Sequence, residues 1–213
     1  MPLLMLDLDN TLVDRDAAFR EAASEFLAAH GLPEADLGWL MSADASGYTP
    51  RRTIARAMTD RYGSTVAPAI RTLLDHGAAD HVTLPDITRA ALTEATAEGW
   101  TSVIVTNGRV AQQELKIRTV GLDSLVHGWV ISEAAGYKKP APEIFHAAAT
   151  AVGASLRGAW MIGDSAHADV LGAAGVGACS VWVSGGRTWT EGAYRPTGVA
   201  LDAASAVHQV LGG

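Results

Sequence analysis

Asp7 and Asp9, followed by Thr11, are the residues whose types and spacing most directly indicate chemistry, and they come straight after the apolar run Leu3 to Leu6. Two carboxylates two residues apart repel each other and lose solvation on burial, so such a pair is typical of a site where a cation or a shared proton compensates the charge. We therefore predict a metal site here. The alternative is a solvated strand-to-helix turn, since Asp and Asn are common turn and N-cap residues.

Candidate anion-binding residues occur further along the chain. Thr106, Asn107 and Gly108 follow a predicted strand and offer a hydroxyl, an amide and backbone N–H groups that can point at an anion. Lys139 precedes Pro140 and is one of only three lysines in the chain. A lysine is a point charge well suited to a phosphate. An ordinary turn and a solvated surface lysine are the alternatives for the two segments.

A second acidic pair follows another predicted strand. Asp164 lies at the strand end, and Asp169 lies in the first turns of the helix that comes next, where the helix dipole stabilises a carboxylate. Asp164 is placed to complete an oxygen-rich cation site with Asp7 and Asp9.

The elements that would position these residues are strands and helices of an α/β fold. From about residue 84 onward, short apolar runs alternate with helical stretches, which is the pattern of βαβ units and a parallel sheet. Strands are predicted at Leu3 to Leu6, Trp100 to Val105, Val126 to Ile131, Ala159 to Ile162 and Cys179 to Val183. Helices are predicted over Asp86 to Glu98, Pro142 to Val152, Ala166 to Ala174 and Asp202 to Leu211. The site residues follow the carboxyl ends of these strands, where open α/β sheets hold their ligands.

Residues 16–82 differ, because they contain no β-rich run and consist of Ala-rich helical segments separated by loops. The predicted helices run over Asp16 to His30, Glu34 to Met41, Arg51 to Tyr62 and Val66 to His76. We predict a core domain of residues 1–15 and 83–213, with a helical insertion at 16–82 in the first crossover of the sheet.

Composition narrows the class of protein. The chain of 213 residues is 48% hydrophobic and 18% charged, as expected of a globular protein with one sizeable core. No apolar run approaches the roughly 20 residues of a membrane helix. No basic region precedes Leu3, which argues against a signal peptide. A formal charge of −7 argues against a nucleic-acid surface. We expect a cytoplasmic protein with no membrane or nucleic-acid partner.

Taken in order, four motifs resemble those of the haloacid dehalogenase-like (HAD) hydrolase superfamily, in its phosphatase branch with a small α-helical cap. The motifs are Asp7-Leu8-Asp9-Asn10-Thr11, Thr106-Asn107-Gly108, Lys139-Pro140 and Gly163-Asp164-Ser165 through Asp169. The resemblance covers nearly the whole chain. Each motif is short, but four in order at strand ends make a strong joint signal.

The resemblance implies roles for these residues. Asp7 falls on the position of the nucleophile and Asp9 on that of the general acid and base. The phosphate-holding positions are Thr106, Asn107 and Lys139. Asp164 matches a metal ligand and Asp169 the acid that supports it. With Mg²⁺ as cofactor, the expected ligands are Asp7, Asp164 and the main-chain carbonyl of Asp9.

The resemblance also implies a fold and a reaction. The fold is a Rossmann-like parallel sheet in the order 3-2-1-4-5, with helices on both faces and a helical cap inserted after the first strand. The reaction is hydrolysis of a small phosphorylated metabolite through an aspartyl-phosphate. Haloacid dehalogenases proper lack the acid two residues after the nucleophile, so Asp9 favours a phosphatase. Phosphonatases use a cap lysine, and residues 16–82 contain none.

Several alternatives stay open at this level. A phosphotransferase or phosphomutase of the same family would pass the phosphoryl group to a second substrate, and a phospho-accepting signalling module would hold it. The substrate is not specified by any residue, and the chain is expected to be a monomer or homodimer. Four arginines could contact a second anionic group of the substrate or pair with nearby acids, namely Arg15, Arg20, Arg51 and Arg52.

Overall fold

A computed structural model describes residues 1–212 of the chain. These residues form two compact units, the first made of Met1–Val13 with the chain from Leu84 onward, and the second of Asp14–Thr83. Within the described residues, every helix is too short or too polar to cross a membrane.

The first unit is built on a six-stranded parallel sheet in the order β3-β2-β1-β4-β5-β6. The strands are β1 (Leu3–Leu6), β2 (Thr101–Thr106), β3 (Gly128–Ile131), β4 (Trp160–Gly163), β5 (Cys179–Val183) and β6 (Gly198–Ala200). The α/β class and the predicted order 3-2-1-4-5 are confirmed. The structure adds β6 at the edge of the sheet beyond β5, where no strand was predicted.

Strand β1 is central because all four of its residues are apolar and can be covered on both faces. Leu4 pairs in register with Ser102 of β2 on one side and Trp160 of β4 on the other. A strand buried on both faces reads as a continuous apolar run, as β1 does. The chain therefore leaves the middle of the sheet directly at Asp7.

The second unit is helical throughout. Its helices are α1 (Arg15–Ala29), α2 (Leu37–Asp44), α3 (Arg51–Tyr62) and α4 (Ala67–His76). Asp44 is fully buried and accepts hydrogen bonds from Arg15 and, at 3.1 Å, from Arg51. Arg15 and Arg51 are thus paired with an acid of their own unit, whereas Arg20 and Arg52 are exposed. The role of this unit as a cap stays a prediction.

Six helices belong to the first unit, namely α5 (Asp86–Ala97), α6 (Val110–Thr119), α7 (Ser132–Ala135), α8 (Pro142–Ala151), α9 (Gly172–Gly175) and α10 (Ala203–Leu211). Phe145 of α8 packs in a core cluster with Met5, Val103 and Met161 of three adjacent strands. Helices α5 and α10 contact each other and pack on the strands as well.

The structure differs from the predicted helices at residues 109–125, 132–135 and 166–174. No element was predicted over residues 109–125, yet helix α6 lies there. The helix predicted over Ala166 to Ala174 is instead a π-helical turn, Ala166–Leu171, followed by the short helix α9. The wider turn begins at Ser165, whose hydroxyl accepts a hydrogen bond from the N–H of Ala168 at 3.1 Å.

Candidate active site

Asp7 is the first residue beyond β1, and its backbone N–H continues the sheet by donating to the carbonyl of Ile162 at 2.9 Å. Its side chain is buried, with 8% of the residue exposed. Burial raises the pKa of the Asp7 carboxyl to about 8, although the nearby Lys139 ammonium opposes this effect. A buried carboxylate at this point needs positive charge close to it.

Lys139 supplies such a charge. Its Nζ donates to Oδ1 of Asp7 and to Oδ1 of Asp169, each at 2.7 Å, and the residue is only 5% exposed. The two carboxylates hold the pKa of Lys139 above its ordinary value in spite of burial. The lysine is therefore a fixed positive charge beside Asp7 and not a solvated surface residue.

The backbone of Lys139 is fixed by the side chain of Asn107. The Asn107 amide accepts from the N–H of Lys139 at 2.8 Å and donates to its carbonyl at 3.0 Å. Because both ends of the amide bind one residue, Asn107 positions Lys139 directly. Contact between Asn107 and a phosphate stays a prediction.

Asp7, Asp164 and Asp169 form a carboxylate cluster in which one oxygen of each lies within 4.8 Å of the others. Burial, followed by the charge of Asp169, raises the pKa of Asp164 to about 7. Carboxylate oxygens are the ligands that Mg²⁺ prefers, and a divalent cation would offset both the cost of burying these carboxylates and their mutual repulsion. The donor set therefore fits the predicted Mg²⁺.

Asp169 reaches this cluster because Gly163 has no side chain. A Cβ at Gly163 would lie 2.2 Å from Cγ of Asp169. The second oxygen of Asp169 accepts from the N–H of Ser165 at 3.0 Å. Asp169 is thus held by a backbone group as well as by Lys139, as expected of a supporting acid.

The side chain of Asp9 has different hydrogen-bond partners. Its Oδ1 accepts from Nζ of Lys116 at 2.7 Å, and its Oδ2 accepts from Nε2 of Gln113 at 3.0 Å. The same Nε2 lies 2.7 Å from Oγ1 of Thr106. These partners of the Asp9 side chain are not members of the carboxylate cluster. Its main-chain carbonyl as a metal ligand stays a prediction.

The loop that carries Asp9 is tight. Asn10 has a φ of 57°, a left-handed conformation that Asn tolerates better than most residues. Its N–H donates to the carbonyl of Val13 at 2.8 Å, while the N–H of Val13 donates to the carbonyl of Leu8 at 3.1 Å. These bonds fold residues 8–13 back on themselves directly after Asp7.

Arg187 is a further charged neighbour. One of its terminal nitrogens donates to Oδ2 of Asp164 at 3.2 Å and to the backbone carbonyl of Asp164 at 3.0 Å. The guanidinium carbon lies 5.3 Å from the ring centroid of Trp182, whose Nε1 donates to the same carbonyl at 2.7 Å. Trp182 and Arg187 together fix the backbone of Asp164.

The seven predicted site residues all lie in the first unit, where the contacts described above link them into two neighbouring groups. Four residues whose side chains contact this set were not predicted, namely Gln113, Lys116, Trp182 and Arg187. The scarcity of lysine was a usable signal for Lys116, since only two other lysines occur in the chain. No local pattern marks Arg187, because it meets Asp164 across 23 positions of the sequence.

The fold is thus a parallel α/β sheet with acids after its central strand and a buried lysine beside them. The family model for haloacid dehalogenase-like hydrolases matches residues 1–177. The chain belongs to this family.

Curated relatives carry phosphatase names. The glyceraldehyde 3-phosphate phosphatase of Pyrococcus furiosus is 35% identical over 99 residues, which are 46% of this chain and 41% of that enzyme. The phosphoserine phosphatase of Thermus thermophilus is 36% identical over 97 residues, covering 46% of this chain and 39% of the enzyme. The chain thus matches less than half the length of each of these relatives.

Solved structures share the fold over the full length. The Bacillus subtilis protein YfnB, crystallised with bound magnesium, superposes with a TM-score of 0.79 and covers 98% of both chains at 19% identity. At this identity the likeness extends to the fold alone.

Proposed function

We propose that this protein is a Mg²⁺-dependent phosphatase that hydrolyses a small phosphate monoester through an aspartyl-phosphate on Asp7. The observation that carries the proposal is the buried Asp7 carboxylate, which lies 2.7 Å from the Lys139 ammonium and within 4.8 Å of the two other carboxylates of the cluster. Hydrolysis of a phosphate monoester is among the slowest reactions in water, so both a positioned nucleophile and fixed positive charge are required.

In the first half-reaction, a carboxylate oxygen of Asp7 attacks phosphorus as the bond from phosphorus to the ester oxygen breaks. Repulsion between the carboxylate and the phosphoryl oxygens opposes this approach. Lys139 reduces it because its ammonium already touches Asp7, and Asn107 keeps the lysine backbone in place. Thr106 offers a hydroxyl at the end of β2 for a phosphoryl oxygen.

Asp9 acts first as the general acid and then as the general base. It donates a proton to the leaving alkoxide in the first half-reaction and then takes a proton from the water that attacks the aspartyl-phosphate. Asp7 is regenerated as inorganic phosphate leaves. The folded loop of residues 8–13 carries this second carboxyl group, two positions after the nucleophile in the sequence.

Asp7 and Asp164 would hold the Mg²⁺ ion, with the carbonyl of Asp9 as a third ligand and Asp169 in support. When bound, the ion supplies positive charge against both the nucleophile and the phosphoryl oxygens. Lys139, which contacts Asp7 and Asp169, would not be a ligand, because an ammonium has no lone pair to offer.

The phosphatase names of the relatives support hydrolysis of small phosphorylated metabolites over transfer to a second substrate. A phosphotransferase would release no stoichiometric inorganic phosphate, so phosphate release separates the two reactions. The relatives themselves differ in substrate, and for this reason the substrate class is proposed only as a small phosphate monoester. A cytoplasmic location and a monomeric or dimeric state stay predictions.

Phosphate release from 4-nitrophenyl phosphate tests the proposal. We expect Mg²⁺-dependent turnover that EDTA abolishes and added Mg²⁺ restores, and we expect the Asp7→Asn variant to be inactive because it lacks the nucleophile. Asp123→Asn is the matched control, since it removes a carboxylate at an exposed position of the same unit. Turnover by Asp7→Asn at the wild-type rate, or wild-type activity in excess EDTA, would refute the proposal.

A further inference from the structure

Among the polar side chains that helix α6 buries in the first unit are Gln113 and Lys116. Each of these residues is only 2% exposed. Their spacing of three positions puts them on one face of the helix. Burying a lysine and a glutamine is costly unless each finds a partner, so their partners reveal what this face of the helix does.

Both side chains hold the carboxyl group of Asp9. Lys116 binds one oxygen at 2.7 Å and Gln113 binds the other at 3.0 Å. The Asp9 side chain is itself 27% exposed. Two donors from one rigid helix, one on each oxygen, restrict both the position and the rotation of the carboxyl group.

Gln113 also ties this carboxyl group to the end of β2. Its Nε2 lies 2.7 Å from Oγ1 of Thr106 as well as 3.0 Å from Asp9. The side chain passes so close to Gly108 that a Cβ there would lie 2.8 Å from Cγ of Gln113. The Thr-Asn-Gly segment therefore leaves the space that Gln113 occupies.

We propose that Gln113 and Lys116 are positioning residues that hold the carboxyl group of Asp9 in line with the leaving-group oxygen. Neither residue is assigned a contact with the phosphoryl group: Lys116 acts through Asp9, and Gln113 acts through Asp9 and Thr106. This inference rests on the proposed function, because it assigns a task to the general acid of that reaction.

The leaving group provides the test. 4-Nitrophenolate leaves with little protonation, whereas an alkoxide needs a proton from Asp9. Loss of the positioning contacts should therefore slow hydrolysis of an alkyl phosphate more than hydrolysis of 4-nitrophenyl phosphate. We expect Lys116→Met to lower kcat/KM for an alkyl phosphate about tenfold or more beyond its effect on 4-nitrophenyl phosphate. The ratio kcat/KM is chosen because it reports on the first half-reaction, where the leaving group departs.

Two further variants sharpen the comparison. Gln113→Leu removes the other donor at similar volume and should change the same ratio in the same direction, which keeps the test informative if Lys116→Met does not fold. Arg118→Met is the control, because it removes a charge from the same helix at a side chain that is 60% exposed. It should leave the ratio unchanged.

A double-variant cycle separates positioning from a general structural effect. In the Asp9→Asn background, Lys116→Met should cause little further loss, since the group that it positions is already disabled. Equal losses on both esters, or losses that add to that of Asp9→Asn, would overturn the inference while leaving the proposed function intact. Failure of the wild type to hydrolyse either ester would instead overturn the proposed function.

Discussion

At the scale of single residues, Lys139 connects several groups of the candidate active site. It contacts Asp7 and Asp169 with its ammonium and Asn107 with its backbone. A buried ion pair of this kind adds little net stability by itself, because desolvation of the charges offsets their attraction. The ion pair instead fixes geometry. Because both the ammonium and the backbone of Lys139 are held by hydrogen bonds, the lysine needs no rearrangement when a phosphoryl group binds.

The raised pKa values of Asp7 and Asp164, about 8 and about 7, predict a pH-dependent response to Mg²⁺. Because these values exceed those of the unfolded chain, proton binding favours the folded state. The resulting stabilisation is complete below about pH 4 and is lost as pH rises through 7 to 8. Mg²⁺ binds the deprotonated carboxylates, so it competes with these protons.

We therefore expect Tm in Mg²⁺ to exceed Tm in EDTA by a larger margin at pH 8 than at pH 6. Thermal unfolding at both pH values measures it, and the Asp164→Asn variant is the comparison that should lose most of the difference. An equal Mg²⁺-induced shift at both pH values in the wild type would contradict this expectation.

Most of the candidate site could be predicted from the sequence because polar residues stand directly after buried apolar runs. Asp7 after β1 and Asp164 after β4 are recognisable in this way. Gln113 and Lys116 follow no strand, and what identifies them is burial against Asp9, 104 and 107 positions away in sequence. Contacts over such separations depend on the folded structure and leave no local pattern.

At the scale of elements, the same reason explains why α6 was missed. Its buried residues include Gln112, Gln113 and Lys116, so the face that packs inward is largely polar. A helix is predicted from an apolar stripe at a period of 3.6 residues, and a polar inward face removes that stripe. The edge strand β6 was missed because it has only three residues. The buried strands and most of the other helices were predicted correctly because their apolar residues form clear runs or helical periods.

The turn between β4 and the π-helical segment depends on Gly163. We expect Gly163→Ala to weaken Mg²⁺ binding and lower kcat, because its Cβ would lie 2.2 Å from Asp169 and force that side chain away from Lys139. Titration of activity with Mg²⁺ measures the effect. Gly175→Ala is the matched control, as a Cβ there meets no atom within 4 Å. Equal Mg²⁺ dependence of the two variants would show that Asp169 needs no such space.

At the scale of the whole molecule, the chain divides its tasks between two units. The contacts described for the candidate site lie within the first unit, and the second unit pairs two of its arginines with its own Asp44. The proposed chemistry can therefore be tested on the full chain without knowledge of the natural substrate. Contact of the exposed Arg20 and Arg52 with a second anionic group of the substrate stays a prediction.

The proposed reaction depends on transfer of the phosphoryl group to Asp7. The most direct measurement uses the Asp9→Asn variant with Mg²⁺ and 4-nitrophenyl phosphate, because loss of the general base slows hydrolysis of the intermediate. After acid quench, borohydride reduces an aspartyl-phosphate to homoserine, which peptide mass spectrometry locates. We predict homoserine at position 7. Modification at any other residue, or none in a preparation that releases 4-nitrophenol, would contradict it.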